Sequence, residues 1–484
     1  MNRRSRLVLV ALSVTLAAVA CSALALAGGS SRRTASATPS FAKDVAPIVR
    51  ESCAGCHRLG GIAPFAFRTE RDLAGRALAV LGAVGDGRMP PWPPSERSPA
   101  YVGEARRTLD ARERETIIRW ARAQLLRPGA ARRGTPVGPP PATSIPPRAG
   151  ETRRELAMPV AYTPRRVNAA TDDYRCFLLD PKLARDELVT SARIEPGAAA
   201  LVHHVILYRI PGSAAPQATA LDQKESGPGW TCFGGPGVGG GTSGDPRGFL
   251  DDAGWIAAWA PGWGADRLRD GTGVPMPAGS RVVMQVHYNL LQGRSADRSS
   301  AVLTTVPASA DLTPVQTMLL PAPVELACRA GESGALCDRT AALFDQVDRF
   351  GSVAGIVPSG LLLLCGRNAS QPAASPVSSC DRPVSRPITI QAVAGHMHLL
   401  GRSIRVELNP GRPDARLLLE IPRWSFHWQA SYLLAQPVRA EPGDVLRVTC
   451  RHDASLRSGK PRYVLWGEGT ADEMCLGVVQ TTPR

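Results

Sequence analysis

Ile388-Thr389-Ile390-Gln391-Ala392-Val393-Ala394-Gly395-His396-Met397-His398 begins as an alternating apolar run and ends on two histidines one residue apart. Alternation with period two reads as a β-strand, and residues i and i+2 of a strand point to the same face, so His396 and His398 aim two imidazoles at one point. Met474, in Gly469-Thr470-Ala471-Asp472-Glu473-Met474-Cys475, offers a thioether from further down the chain. A His-His-Met set with a soft sulfur selects reduced copper over zinc or a hard cation. The competing reading is two core-edge histidines and a buried methionine.

Working outward, similar short runs recur at 201–210, 282–288, 404–408 and 445–450, bounded by glycine and proline. They predict antiparallel β-structure in sandwiches from about residue 156 onward, with helical periodicity nearly absent. Three runs follow like turns: Glu195-Pro196-Gly197, Pro277-Ala278-Gly279 and Glu441-Pro442-Gly443. The glycine-rich stretch 234–241 contains Pro236 and lacks the lysine and following helix of a phosphate loop, so it reads as an inter-strand loop.

A second histidine cluster lies upstream, with His203 and His204 adjacent and His287 in Gln285-Val286-His287-Tyr288. Neighbours on a regular strand face opposite ways, so joint ligation by His203 and His204 needs a bulge or a strand end. Three imidazoles without a thiolate suit copper, zinc or non-haem iron. Gln285 shares a strand face with His287 and is a candidate for orienting its ring, beside a plain structural role. His427 and His452 read as structural or cleft-lining, and Trp255 and Trp259 as core or cleft walls.

The segment 40–126 reads as a small helical unit around Cys53-Ala54-Gly55-Cys56-His57. C-x-x-C-H attaches c-type haem through two thioether bonds with the histidine as axial ligand. A redox or zinc dithiol is the alternative. An amphipathic helix is predicted from Asp110, with Asp110 and Glu113 at capping-box spacing and Ile117, Ile118, Ala121 and Leu125 on one face. Residues 127–155 form a Pro/Arg-rich linker.

The formal charge of +15 is scattered, with no basic stripe interleaved with aromatics, which argues against nucleic-acid binding. Residues 1–27 form an export signal, cleaved after alanines at 23–27 or, with lipid attachment, before Cys21. No later apolar run reaches the roughly 18 residues of a membrane span. Membrane contact is therefore expected only through an anchor at Cys21, and the location is periplasmic or extracellular. Of 11 cysteines, eight remain outside the signal and the C-x-x-C-H motif. An even number suits disulfides in an oxidising compartment.

Phe41, Asp44-Val45-Ala46-Pro47-Ile48 and Gly61-Ile62-Ala63-Pro64-Phe65 around the motif resemble a small all-α class I cytochrome c domain. That resemblance implies Met89, in Arg88-Met89-Pro90-Pro91-Trp92, as second axial ligand. From about Asp172 the chain resembles the copper type II ascorbate-dependent monooxygenases. The likeness rests on Glu195-Pro196-Gly197 with His203-His204, Pro277-Ala278-Gly279 with Gln285-Val286-His287-Tyr288, His396-Met397-His398 with Gly401-Arg402, and Glu473-Met474-Cys475.

The monooxygenase resemblance implies two all-β, jelly-roll-like sandwiches, 156–312 and 313–484, each holding one copper on the walls of a shared open cleft. His203, His204 and His287 would bind the electron-transfer copper, and His396, His398 and Met474 the copper at which oxygen is activated. It further implies Cys450 paired with Cys475 and Cys176 with Cys232. Nearness in sequence pairs Cys328 with Cys337 and Cys365 with Cys380.

The expected activity is hydroxylation of a C–H bond in a small-molecule substrate with O2. Ascorbate, or an external donor acting through the haem, supplies the electrons, and the haem feeds the His203/His204/His287 copper. Ala394 stands where peptide-amidating members carry an arginine, and Leu476 replaces a polar residue. An apolar or aromatic substrate is therefore expected in place of a glycine-extended peptide. The alternative is an exported copper and haem electron-transfer or copper-handling protein without hydroxylase activity.

Overall fold

The computed structural model describes residues 38–59, 63–104, 107–126, 134–139, 146–166, 172–232, 235–238, 250–260, 266–290 and 293–484. The export signal with Cys21, residues 127–133 and 140–145 of the linker, Gly61, Ile62, and residues 234 and 239–241 of the glycine-rich loop lie outside the described residues.

The chain is mostly β, in antiparallel sheets. A five-stranded sheet runs in the order Trp230–Thr231, Asp172–Leu179, Arg281–Asn289, Val202–Ile210, Trp255–Trp259. It packs on a sheet built from Thr152–Ala157, Ser300–Pro307, Glu187–Glu195, Thr272–Met276 and short partners, through a core that includes Val202, Val205, Leu207, Met284 and Val286. The strand Thr152–Ala157, paired in register with Ser300–Pro307, begins inside the stretch read from sequence as linker.

A second pair of four-stranded sheets follows. One runs Gln316–Pro321, Leu476–Pro483, Ile388–His396, Ser431–Ala440, and the other Val377–Pro383, Val445–His452, Gly401–Leu408, Arg416–Ile421. Ile390, Val393, Ile404, Val406, Leu446 and Val448 fill the space between them. Alternation in the opening sequence thus became one central strand, with apolar side chains inward and the histidines at its end.

The three like turns share letters but differ in cause. Gly279 and Gly443 sit at φ 72° and 92°, where only glycine is unstrained. Gly197 is needed for space instead: a Cβ there would stand 2.7 Å from the Arg298 backbone nitrogen.

Helices Arg339–Phe350 and Ser352–Leu364 form a hairpin in a region expected to be β. Their periodicity is blurred because Phe344, Val353, Ile356 and Leu363 are exposed while Ala342, Gln346, Ala354 and Pro358 are buried. Asp338 caps the first helix by accepting from the Ala341 N–H at 2.8 Å. Disulfides Cys328–Cys337 and Cys365–Cys380 bracket the hairpin, and Cys176–Cys232 and Cys450–Cys475 are also formed.

The N-terminal unit consists of short helices at Ala46–Ser52, Glu70–Ala74 and Ala77–Gly85 and a longer one at Ala111–Leu126. Asp110 and Glu113 exchange their capping-box bonds at 2.7 and 3.0 Å. On the last helix Ile117, Trp120 and Ala121 are buried, whereas Leu125 faces outward.

This unit docks on the second sandwich, although the first follows it in sequence. Tyr101 bridges Leu434 on the edge strand, flanked by Val102 N–H to Leu433 O and Ala435 N–H to Ala100 O, both 2.8 Å. The Tyr101 hydroxyl donates to Leu418 O at 2.8 Å, and its ring joins the second core. Buried Glu420 accepts from Ser95 Oγ at 2.7 Å and pairs with Arg97.

Burial opposes the charged form of Glu420, but Ser95 and Arg97 outweigh it and hold the carboxyl below its ordinary 4.5. A depressed carboxyl stabilises above its unfolded value and loses that contribution as pH falls through the folded one. Docking should therefore be constant from neutrality to about pH 4.5 and weaken only below it. Amide hydrogen exchange at Val102 and Ala435 measured against pH checks this, with Glu420→Gln flattening the dependence.

Candidate metal centres

His204 pairs with His287 across adjacent strands, and the register shifts between Val202 and His204. That shift places the extra residue, His203, so that it turns to the same side as His204. One potential donor atom from each of His203, His204 and His287 lies within 4.8 Å of the others. The required bulge is therefore present at the position where the sequence demands it.

Hydrogen bonds sort the ring nitrogens. His287 Nε2 meets Asp172 Oδ1 at 2.9 Å, leaving Nδ1 directed at His204 Nδ1, 3.4 Å away. Both nitrogens of His203 are buried with no partner, an expensive arrangement unless something else binds them. Burial first, then the neighbouring imidazoles, holds His203 and His204 well below the usual histidine range, so they are neutral. Neutral, converging imidazoles are the form that binds a cation.

Asp172 and Tyr174 sit on one face of their strand, with the Tyr174 ring stacked on His287 at 4.1 Å. Gln285 does not take the orienting role expected for it. Its amide nitrogen lies 3.6 Å from Cys232 Sγ and its amide oxygen 3.5 Å from the Tyr208 hydroxyl, so the side chain is engaged away from the imidazole. Trp255 and Trp259 are packed in apolar clusters with Tyr208 and Val205 respectively.

His396 ends its strand and His398 lies just beyond it, with ring centroids 5.1 Å apart. His396 Nδ1 is 2.6 Å from Gln429 Oε1, while the Gln429 amide nitrogen donates to Phe426 O at 2.8 Å. His398 Nδ1 is 3.2 Å from Asp472 O. Each Nδ1 therefore carries the proton, and each Nε2 is left as the free donor atom. Burial lowers His396 to about 4 and His398 to about 3, the neighbouring His396 adding to the latter.

Met474 is buried beside the Cys450–Cys475 bond. Glu473, fully buried, accepts from the backbone N–H of His398 and Met474 at 2.9 and 2.8 Å and of Leu400 at 2.8 Å. One carboxylate thus ties the His396-Met397-His398 turn to the methionine. Burial pushes the Glu473 carboxyl up to about 8 in spite of these donors. His452 is structural, 3.4 Å from Met474 O, and His427 is exposed.

The two histidine sets meet. His204 and His396 are 6.1 Å apart between ring centroids, and Phe426 stacks on His203 at 4.0 Å while lying 6.0 Å from His398. The open cleft expected from the resemblance is closed here. Loop 468–474 makes the closure: Glu468 O accepts from the Tyr174 hydroxyl at 2.6 Å, and Asp172 accepts from the Thr470 hydroxyl and N–H. Arg349 of the helical hairpin braces the same loop through Asp472 at 2.7 Å.

In the N-terminal unit Cys53 and Cys56 are the free cysteines among the described residues. Burial, then Cys56, pushes the Cys53 thiol up to about 12, and burial also raises Cys56. His57 Nδ1 is held by Phe65 O at 3.1 Å, and its ring stacks on Phe67 at 4.5 Å, leaving Nε2 free. Met89 is half-buried against Val84, Leu109 and Ile117. Neighbouring Pro90, with Cys56, lines a cleft of about 130 Å3. Asp172, Thr470 and Gln429 were missed in the sequence; only the Asp-x-Tyr spacing on one strand face signalled the first.

No helix among the described residues is long and apolar enough to cross a membrane. No curated protein matches the chain. Similar solved structures include the major capsid protein P2 of bacteriophage PM2, at 8% identity over 68% of this chain and 97% of that one, with a TM-score of 0.25. A Paenibacillus xanthan lyase matches at 13% over 73% of this chain and 28% of its own, with a TM-score of 0.14. Scores this low carry no argument. Residues 371–480, which hold His396, His398 and Met474, match the family model of the copper type II ascorbate-dependent monooxygenase C-terminal domain, and that match supports this family for the second sandwich.

Proposed function

We propose that the chain is an exported copper-dependent monooxygenase that hydroxylates a C–H bond of a small organic molecule with O2. The observation carrying this reading is the buried His203/His204/His287 cluster, with its orphaned His203 nitrogens, facing the family-matched His396/His398 pair at 6.1 Å. The residues fit the metal: His203, His204 and His287 would hold one copper, the last two through Nδ1. His396 and His398 through Nε2, with the Met474 thioether, would hold the other. Copper at these sites supplies oxygen activation and one-electron storage, so that RH, O2, two electrons and two protons give ROH and water.

The chain's own groups prepare that chemistry. Asp172 fixes the His287 ring, and Gln429 and Asp472 O fix the protons of His396 and His398 on Nδ1. Phe426 keeps apolar surface beside His203, where a dry site strengthens every electrostatic contact. Ala394 offers no cation for a substrate carboxylate, which favours an apolar or aromatic substrate.

We read Cys53, Cys56 and His57 as the attachment site of a covalently bound c-type haem, with Met89 as the second axial ligand that the class I cytochrome c resemblance implies. The two cysteines stay unpaired in a chain whose other described cysteines are bonded, and the free His57 Nε2 is held ready for an axial bond. Such a haem supplies single electrons, in addition to ascorbate or another external donor.

Metal and haem analysis of the purified chain tests the proposal, followed by aerobic turnover on small aromatic and aliphatic compounds. About two coppers and one haem iron per chain, with oxygen uptake matched by hydroxylated product, are the expected results. Bound copper with neither oxygen uptake nor hydroxylated product would assign the chain to electron transfer or copper handling instead.

A further inference from the structure

The cleft beside Cys56 has two walls from distant parts of the chain. Cys56, Pro90 and Trp92 belong to the N-terminal unit, whereas Trp428, Gln429 and Tyr432 belong to the second sandwich. Gln429 is also the residue whose amide oxygen holds His396 Nδ1 at 2.6 Å. It is clasped from behind by its own bond to Phe426 O, so its orientation is fixed. The cleft beside Cys56, second cysteine of the C-x-x-C-H motif, is therefore separated from a candidate copper ligand by a single side chain.

The far wall is suited to an anionic, partly apolar occupant. The Tyr432 hydroxyl is buried without a partner, the residue being 2% exposed, and Arg107 lines the same cleft. A hydroxyl and a guanidinium are what carboxylate groups such as haem propionates take. Trp92 packs edge-on to Tyr432 at 5.5 Å, closing the floor with apolar surface. None of these cleft residues comes from the first sandwich.

We propose that Gln429 couples the C-x-x-C-H pocket to His396, so that electrons from the N-terminal unit enter at the His396/His398/Met474 site. This replaces the route expected from the resemblance, through the electron-transfer copper at His203, His204 and His287. It rests on the functional reading above. Each event moves one electron: ferrous haem is oxidised to ferric, cupric copper at His396 is reduced to cuprous, and an external one-electron donor restores the haem. Gln429 is a positioning residue, since it keeps His396 Nδ1 protonated and directed at the cleft.

The test uses the full chain carrying haem and copper, as wild type, Gln429→Leu, Gln429→Glu and His287→Ala. A photochemical one-electron reductant reduces the haem without oxygen. Its reoxidation is followed optically, and copper(II) is counted by freeze-quench electron paramagnetic resonance.

Gln429→Leu, loaded with excess copper so that its haem and copper occupancy match wild type, is expected to slow reoxidation by about tenfold or more. Gln429→Glu, which keeps the acceptor, should stay close to wild type. His287→Ala, disabled at the other site, should keep the fast phase. A wild-type rate in Gln429→Leu, or loss of the fast phase in His287→Ala, would overturn the coupling. Protein that holds copper but attaches no haem, or holds no copper, would overturn the functional reading itself, and the metal analysis made beforehand separates that failure from the first.

Discussion

Glu473→Ala is expected to cost about 3–5 kcal/mol of stability and to empty the His396/His398/Met474 site. The carboxyl group is fully buried and receives backbone N–H groups from His398, Leu400 and Met474, so alanine would leave three donors buried without partners. Each orphaned group costs about 1–3 kcal/mol when water does not reach it. Glu473→Gln, retaining one acceptor oxygen and the volume, should lie between. Urea unfolding followed by circular dichroism, with copper counted in the folded protein, gives both numbers. A midpoint shift worth less than about 1 kcal/mol would show that the carboxylate does not hold the turn. Copper at the three-histidine site should survive, since Glu473 makes no bond to it.

The second large effect is expected at Asp172→Ala. Removing the carboxylate frees the His287 ring and should weaken copper retention by His203, His204 and His287 by about 10–100-fold in a chelator competition. It also strips Thr470 of the acceptor for its hydroxyl and N–H, so the contact between the sandwiches should loosen. Thr470→Val separates the two roles. It breaks the side-chain bond between sandwiches while leaving Asp172 on His287, so it should raise hydrogen exchange across loop 468–474 with little change in affinity. Equal affinity losses in both variants would mean that closure, and not ring orientation, sets metal retention.

Both effects concern residues that the sequence made only partly legible. Alternation at 388–396 revealed the strand and the shared direction of His396 and His398, because a period of two is a property of the backbone alone. The His203-His204 pair posed its own condition, a bulge, and the register shift before His204 meets it. The capping box at Asp110 was equally local. The helical hairpin at 339–364 was not legible, because its exposed Phe344 and Val353 break the apolar stripe that helix recognition depends on.

What the sequence by itself determined is local: the β texture, the bulge, the C-x-x-C-H turn, and which side chains have the chemistry to bind a soft metal or a haem. Tertiary structure alone decided who stands beside whom. Asp172 reaches Thr470 across 298 residues, Gln429 reaches His396 from a loop, and the N-terminal unit docks on the sandwich furthest along the chain. The physical reason is that hydrophobic patterning specifies the burial of a face and leaves its partner open. The partner is chosen by hydrogen bonds and packing that form only once both sandwiches exist, and here loop 468–474 makes that choice for the two histidine sets together.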